Sequence, residues 1–286
     1  MKDIFNISRF FAQIILFICV LILESSAIKP SREYIKTPKD FKMDFEAVTF
    51  KTSDNFQLTG WFIPAEQDTQ NTTIIFSMID GGNMSYIIEM TEYFVKRSFN
   101  VLLYDYRGFG KSQDFKIIRD YLIHPEFITD LHAAVDFVKS KNDDKIVLFG
   151  FSMGAAVSIG TAGQRNDIAA VIADGAHTTI ESVCSILNQR PEQERKGRIT
   201  EIPPDFPAEA QPLNAVQNFA GTGLCLLTGT NDKTCTPAMA YELFKKCPSS
   251  KKTLYIASDT EHCWIHEKYG KLYFDFVLSF INHAVE

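Results

Sequence analysis

The sequence predicts a single α/β domain, an eight-stranded and mostly parallel sheet flanked by helices, and three observations carry that expectation. From residue 46 onward, short β-type runs alternate with helical stretches, as strands joined by crossover helices require. The run at residues 72–79 is continuously apolar, the pattern of a strand covered on both faces. Residues 28–286 contain no repeat and no linker that would divide them, and their number suits one core.

Taken in order, residues 46–52 and 56–63 read as an antiparallel hairpin across the turn Ser53-Asp54-Asn55. The apolar strand at 72–79 leads to a helix near 84–97, and residues 100–104 form the next strand. That strand ends in the turn Asp105-Tyr106-Arg107-Gly108-Phe109-Gly110. A helix is expected near 125–140, where Ile128, Leu131, Ala134, Val135 and Val138 recur at helical spacing. Strand 145–149, helix 153–162 and strand 168–173 follow. Residues 175–221 are proline-rich and irregular, and read as a short helix plus an excursion over one edge of the sheet. Strand 224–227, helix 238–246, strand 253–257 and a terminal helix near 268–283 complete the pattern.

Composition narrows the function classes. With a formal net charge of -6 and no basic stripe, the chain lacks what displaces phosphate counterions, so no nucleic acid partner is expected. Its basic cluster, Arg190 to Arg198, is interrupted by Glu192 and Glu194. At the N-terminus, Lys2 and Arg9 flank an apolar run from Phe10 to Leu23, broken only by Gln13. A helix over that run would span roughly 21 Å, short of the roughly 30 Å hydrocarbon core. Ser25-Ser26-Ala27 then supplies small residues suited to cleavage after Ala27. Residues 1–27 are therefore expected to be a signal peptide or a membrane anchor, and 28–286 the folded domain. The expected location is periplasmic or secreted, with residues 10–23 as the anchor if the segment is retained.

The strongest chemical signal is Gly150-Phe151-Ser152-Met153-Gly154, directly after a buried-strand pattern and directly before an Ala/Gly-rich helix. Glycines on both sides let strand and helix approach closely enough to force the serine into a sharp turn. Ser152 then sits at a helix N-terminus, where the dipole favours a developing anion. A serine hydroxyl needs a base, and His262 lies five residues beyond the last strand, in a loop before the terminal helix. His266 is the nearest rival, and His177 follows strand 168–173. The acid that orients the base is expected after the preceding strand, where Asp232 stands in Thr228-Gly229-Thr230-Asn231-Asp232; Asp174 is the alternative. For the oxyanion, the backbone N–H of Met153 is one expected donor and Gly82, in Asp80-Gly81-Gly82-Asn83, the second, with Gly81 behind it.

These motifs resemble the α/β-hydrolase superfamily, in particular its compact serine-hydrolase branch of bacterial esterases and small acyl-protein-thioesterase-like enzymes. The resemblance covers residues 46–283. It rests on Gly81-Gly82-Asn83, Asp105-Tyr106-Arg107-Gly108-Phe109-Gly110-Lys111-Ser112, residues 150–154, Asn231-Asp232 and Glu261-His262. It implies the α/β-hydrolase fold without a large cap domain, and a triad in the order Ser152, Asp232, His262. Asp105 and Arg107 are expected to brace their turn. Relatives usually carry histidine where this chain has Asp80.

The implied reaction is cleavage of a carboxylic ester or thioester through an acyl-enzyme, on a small-molecule or acylated substrate, with no cofactor and no metal. A serine peptidase using the same triad is the alternative enzyme. A non-catalytic binding module of this fold is the alternative class. Five cysteines follow Ala27: Cys184, Cys225, Cys235, Cys247 and Cys263. In an exported domain, a Cys235–Cys263 bridge would tie the Asp232 loop to the His262 loop; free buried thiols, or pairing with Cys247, are the alternatives.

Overall fold

The computed structural model describes residues 28–67, 70–195 and 199–286. The signal or anchor expectation for residues 1–27 lies outside the described residues. The expected eight strands are present: β1 (Glu46–Lys51), β2 (Gln57–Ile63), β3 (Thr72–Ser77), β4 (Asn100–Tyr104), β5 (Lys145–Phe151), β6 (Ile168–Asp174), β7 (Gly223–Gly229) and β8 (Lys252–Ala257). They form one sheet in the order β8-β7-β6-β5-β3-β4-β2-β1. The hairpin β1–β2 is antiparallel, with Val48 opposite Gly60, and β2 joins β4 antiparallel. Every other neighbouring pair is parallel. The loops leaving the carboxyl ends of β3 to β8 therefore share one edge of the sheet, where a doubly covered parallel sheet carries its site.

Side-chain alternation along the strands builds two cores, one on each face. Ile75, Leu102 and Leu148 point to the face covered by α2 (Glu126–Lys141), α3 (Met153–Ala162) and α5 (Pro237–Lys246). Ile74, Phe76, Leu103 and Phe149 point to the other face, covered by α1 (Ile88–Val95) and α6 (Lys271–Val285). Both faces being covered explains the continuous apolar run of β3, in which all six residues are buried. The expected stripe Ile128, Leu131, Ala134, Val135 and Val138 is the buried face of α2.

Three details differ from the sequence expectation. β3 ends at Ser77, so Met78 and Ile79 already belong to the connecting loop. The first helix opens with a 3-10 turn, Met84–Tyr86, before α1 begins at Ile88. The terminal helix is broken at Gly270, whose φ of +49° divides a short helix, Ile265–Tyr269, from α6. Among its described residues the irregular excursion contains α4 (Ile180–Asn188) and the short helical turns Glu192–Arg195, Ala208–Ala210, Pro212–Ala215 and Val216–Asn218, and these form no separate cap domain.

One pairing had no counterpart in the sequence reading. Lys29–Pro30 lies parallel to Gly81–Gly82, with Lys29 N donating to Asp80 O at 2.7 Å and Ser31 N to Gly82 O at 2.8 Å. Asn83 Nδ2 donates to the carbonyls of Ser31 and Glu33, and Gly110 N to Ser31 O. The segment from Ile28 to Tyr34 is thus strapped across the loop that follows β3.

Candidate active site

The turn between β5 and α3 fixes Ser152 at φ 52° and ψ -115°, outside the basins open to L-residues. Ladder geometry holds it there: Ser152 N donates to Asp174 O at 2.8 Å, and Ala155 N to Ser152 O at 3.0 Å. The flanking glycines are a packing requirement. A Cβ on Gly150 would stand 2.1 Å from Gly154 O, and one on Gly154 would stand 2.1 Å from Ser77 O. The end of β3 therefore presses directly on the first turn of α3. Met153 opens that helix, where the first amides have no intrahelical acceptor.

Two further loops bring a histidine and a carboxylate to this serine. His262 Nε2 lies 2.8 Å from Ser152 Oγ, and His262 Nδ1 lies 2.7 Å from Asp232 Oδ2. Asp232 has a fully buried carboxylate whose other oxygen accepts the amides of Thr234 and Cys235, both at 2.8 Å. With both oxygens engaged, the carboxylate has one orientation available, and Nδ1 is the nitrogen that must carry the proton towards it. Nε2 is then left to accept from Ser152. The structure thus brings Ser152, Asp232 and His262 into one hydrogen-bonded chain.

The electrostatics follow from burial and three nearby carboxylates. Burial disfavours the His262 imidazolium, but the hydrogen bond and charge of Asp232, with the charges of Asp174 and Asp80, outweigh it and raise its pKa above 6.5. Asp174, at the end of β6, is buried and pushed up to about 7 by that burial, against a 2.9 Å hydrogen bond donated by Tyr273 Oη. Asp174 is not the carboxylate that His262 bonds; it lies deeper, with Oδ1 unpaired. Asp80 is half-buried, and burial pushes its carboxyl up against the opposing pull of His262, its own backbone amide and Lys29.

The other candidates fall elsewhere. His266 is half-buried against the Phe151 and Tyr273 rings, away from Ser152, and burial drives its pKa down to about 4. His177 is buried and likewise lowered to about 4, by burial and then by the charge of His262. Gly82, with φ +76°, is drawn into the pair with Lys29–Pro30, and the alternation of a parallel ladder directs its N–H to Lys29 O. Gly81 belongs to the same pair. The structure therefore does not bring Gly82 to Ser152 as a donor. The part of that loop pressed against the elbow is Ser77 and Met78, whose carbonyls a Cβ on Gly154 would meet at 2.1 and 2.5 Å.

Arg107 is almost wholly buried and bonded to both Asp54 and Asp130, while Asp105 accepts from Met84 N, Tyr34 Oη and Lys111 N. Both brace the turn after β4. The five cysteines of the described residues are free thiols. Cys263 (φ +57°) donates to Asp174 O at 3.4 Å, with its sulfur 3.8 Å from His262 Nε2, and burial raises its pKa well above the usual thiol range. Among the described residues, no group of three or more His, Cys, Asp or Glu could hold a metal ion.

Sequence reasoning missed two glycines that make this convergence feasible. A Cβ on Gly175 would stand 2.8 Å from His262 Cε1, and one on Gly229 would stand 2.0 Å from Thr260 O. Gly175 follows the end of β6 and Gly229 is the last residue of β7, and that position at a strand end is the signal that could have marked them.

Comparison with known proteins agrees with this architecture. The family model described as serine aminopeptidase, S33, matches residues 81–193. The protein YfhR of Escherichia coli O157:H7 is 29% identical over 249 residues, covering 84% of this chain and 81% of that one. Protein bem46 of Schizosaccharomyces pombe is 25% identical, over 82% of this chain and 76% of its own length. Among solved structures, the Pyrococcus furiosus esterase Pf2001 superposes with a TM-score of 0.75 at 23% identity, covering 91% of this chain and all of that one. Strand order, a serine elbow after β5 and these matches converge on one assignment: the chain has the α/β-hydrolase fold.

Proposed function

We propose that the protein is a serine hydrolase that cleaves carboxylic esters or thioesters through an acyl-enzyme. The observation that carries this reading is the unbroken chain Asp232–His262–Ser152, at 2.7 and 2.8 Å, ending on a serine held at φ 52°. In the first half-reaction Ser152 Oγ attacks the carbonyl carbon while His262 Nε2 takes its proton, and Asp232 stabilises the imidazolium. The oxyanion is held by the Met153 amide and by a backbone amide of the loop that follows β3. The leaving group departs with the proton from Nε2. Water then attacks the acyl carbonyl, gives its proton to Nε2, and Ser152 regains a proton as the acid product leaves.

We also take residues 1–27 to direct the chain to a membrane, with residues 10–23 as its anchor where they are retained. One observation favours a second reading: the matching family model is described as an aminopeptidase. The same triad would then attack an amide.

A fluorophosphonate probe tests the catalytic reading, and paired substrates separate the two bonds. The probe is expected to modify Ser152 and to leave Ser152→Ala unlabelled. Turnover of p-nitrophenyl acyl esters well above that of aminoacyl p-nitroanilides supports the ester reading; the reverse order supports the peptidase. A folded wild-type protein that takes no label contradicts both.

A further inference from the structure

The described residues include seven exposed large hydrophobic side chains, and four of them lie in segments at the active-site end of the sheet. Ile118 is in the loop after β4, Ile199 and Ile202 are in the excursion after β6, and Ile35 follows the N-terminal strap. The first two segments are stitched together. Glu201 N donates to Asp120 O, Tyr121 pairs with Glu201, and Asn188 exchanges hydrogen bonds with Thr200. Ile118 (37% exposed), Ile199 (53%) and Ile202 (43%) are thereby held on one end of the molecule instead of being scattered.

The N-terminal strap reaches the same end. Ile28 is fully buried, and Lys29–Pro30 is pinned to Gly81–Gly82 beside the end of β3. In sequence, the apolar run closes at Leu23, so residues 24–27 alone separate it from Ile28. Four residues reach at most about 14 Å when fully extended. If the run sits in a bilayer, the start of the strap, at the active-site end of the sheet, is tethered close to its surface.

Charge specifies the kind of surface. Between residues 112 and 125, Lys116 and Arg119 are balanced by Asp114 and Asp120. Among the described residues between 189 and 207, Arg190 and Arg195 stand against Glu192, Glu194, Glu201 and Asp205. A surface with protruding isoleucines and no excess of positive charge fits uncharged lipid and has no attraction to an anionic headgroup.

We propose that the active-site end of the domain rests on a lipid bilayer, with Ile118, Ile199 and Ile202 inserted at its interface, and that the substrates are acyl esters drawn from that bilayer. The second half rests on the serine-hydrolase reading; the first does not. An amphiphilic ester would then reach Ser152 without crossing bulk water.

The test uses the full chain reconstituted in phosphatidylcholine vesicles. Single cysteines at Ile118, Ile202 and Gly221 carry an environment-sensitive fluorophore, and unsubstituted protein, with Cys19 and the five thiols of the described residues, sets the background. Gly221 is exposed at the opposite edge of the sheet, just before β7, with nothing within 4 Å of an added Cβ. Brominated lipid is expected to quench the probes at 118 and 202 at least several-fold more than the probe at 221. Equal quenching at all three, or none at 118 and 202, overturns the proposal, and neither outcome depends on catalysis. In parallel, Ile118→Asn/Ile199→Asn/Ile202→Asn is expected to lower hydrolysis of a long-chain ester held in the vesicles about tenfold while leaving a soluble short-chain ester unchanged. Equal loss on both esters, with quenching at the single positions intact, overturns the substrate claim alone. Absence of hydrolysis by the wild type on either ester counts against the serine-hydrolase reading and leaves the quenching result standing.

Discussion

Gly229 and Thr260 meet backbone to backbone: a Cβ on Gly229 would stand 2.0 Å from Thr260 O. The contact joins the end of β7 to the loop after β8, and Asn231 N donates to the same carbonyl at 2.9 Å. Asp232 lies three residues beyond the glycine and His262 two beyond the threonine. Their 2.7 Å hydrogen bond thus depends on a glycine that takes no part in the chemistry. Gly229→Ala is expected to separate the loops and cut kcat/KM on a soluble ester by about 10²-fold, the scale of a displacement near 1 Å. Far-ultraviolet circular dichroism should remain native. Unchanged kinetics in a folded variant would show that the loops are positioned by other contacts.

Asp232→Asn keeps the shape of the orienting residue and removes its charge. An amide can present its N–H to Nδ1 and stabilise the tautomer that leaves Nε2 unable to accept from Ser152. A loss of about 10³- to 10⁴-fold in kcat is expected, with KM little changed. A loss below tenfold would mean that another group, Asp174 being the nearest candidate, can orient the histidine.

The pH dependence has a definite sign. His262 must be neutral to accept the proton, and its surroundings hold its pKa above 6.5, so kcat/KM should rise through an acid limb centred above that value. The charges of Asp174 and Asp80 stabilise the imidazolium. Asp174→Asn and Asp80→Asn should therefore each move the limb to lower pH, by a fraction of a unit. A shift to higher pH in either variant contradicts the assignment.

Asp174 also predicts a stability profile. Its carboxyl titrates near 3.8 in the unfolded chain and near 7 in the fold, because burial favours the protonated form. Its contribution is fully present below 3.8 and is lost as pH rises through about 7. Asp174→Asn should flatten the decline in unfolding free energy between pH 5 and 8 by roughly 1–3 kcal/mol. Urea denaturation at the two pH values measures it.

Gly154→Ala should destabilise the fold by more than about 3 kcal/mol, because the added methyl meets the Ser77 carbonyl with no flexible neighbour to yield. Gly221→Ala, in open space, is the control and should change stability by less than about 1 kcal/mol.

Much of this architecture is legible because it is local or periodic. The helical spacing from Ile128 to Val138 marks a buried face, and Gly150 and Gly154 are required by a clash within their own strand–turn–helix unit. Its place after the strand that precedes the last one marks Asp232 over Asp174 as the partner of His262, and the 2.7 Å bond agrees with it. What sequence reading missed depends on distant partners. A two-residue strand ending in proline, Lys29–Pro30, has no period to detect, yet it occupies Gly82 and turns that amide away from Ser152. The break at Gly270 lies inside a run with continuous helical character, and a left-handed φ cannot be read from a single glycine. His266 and His262 are distinguishable only once Phe151 and Tyr273 are seen to enclose the former.

A serine hydrolase must transfer the acyl group covalently to Ser152, and the acyl-enzyme can be sought directly. Wild-type protein mixed with excess p-nitrophenyl acyl ester and acid-quenched within the first turnovers should gain the mass of one acyl group, on the peptide that contains Ser152. Ser152→Ala should gain none. Release of p-nitrophenol with the acyl group on another residue, or equally from Ser152→Ala, would contradict the claim.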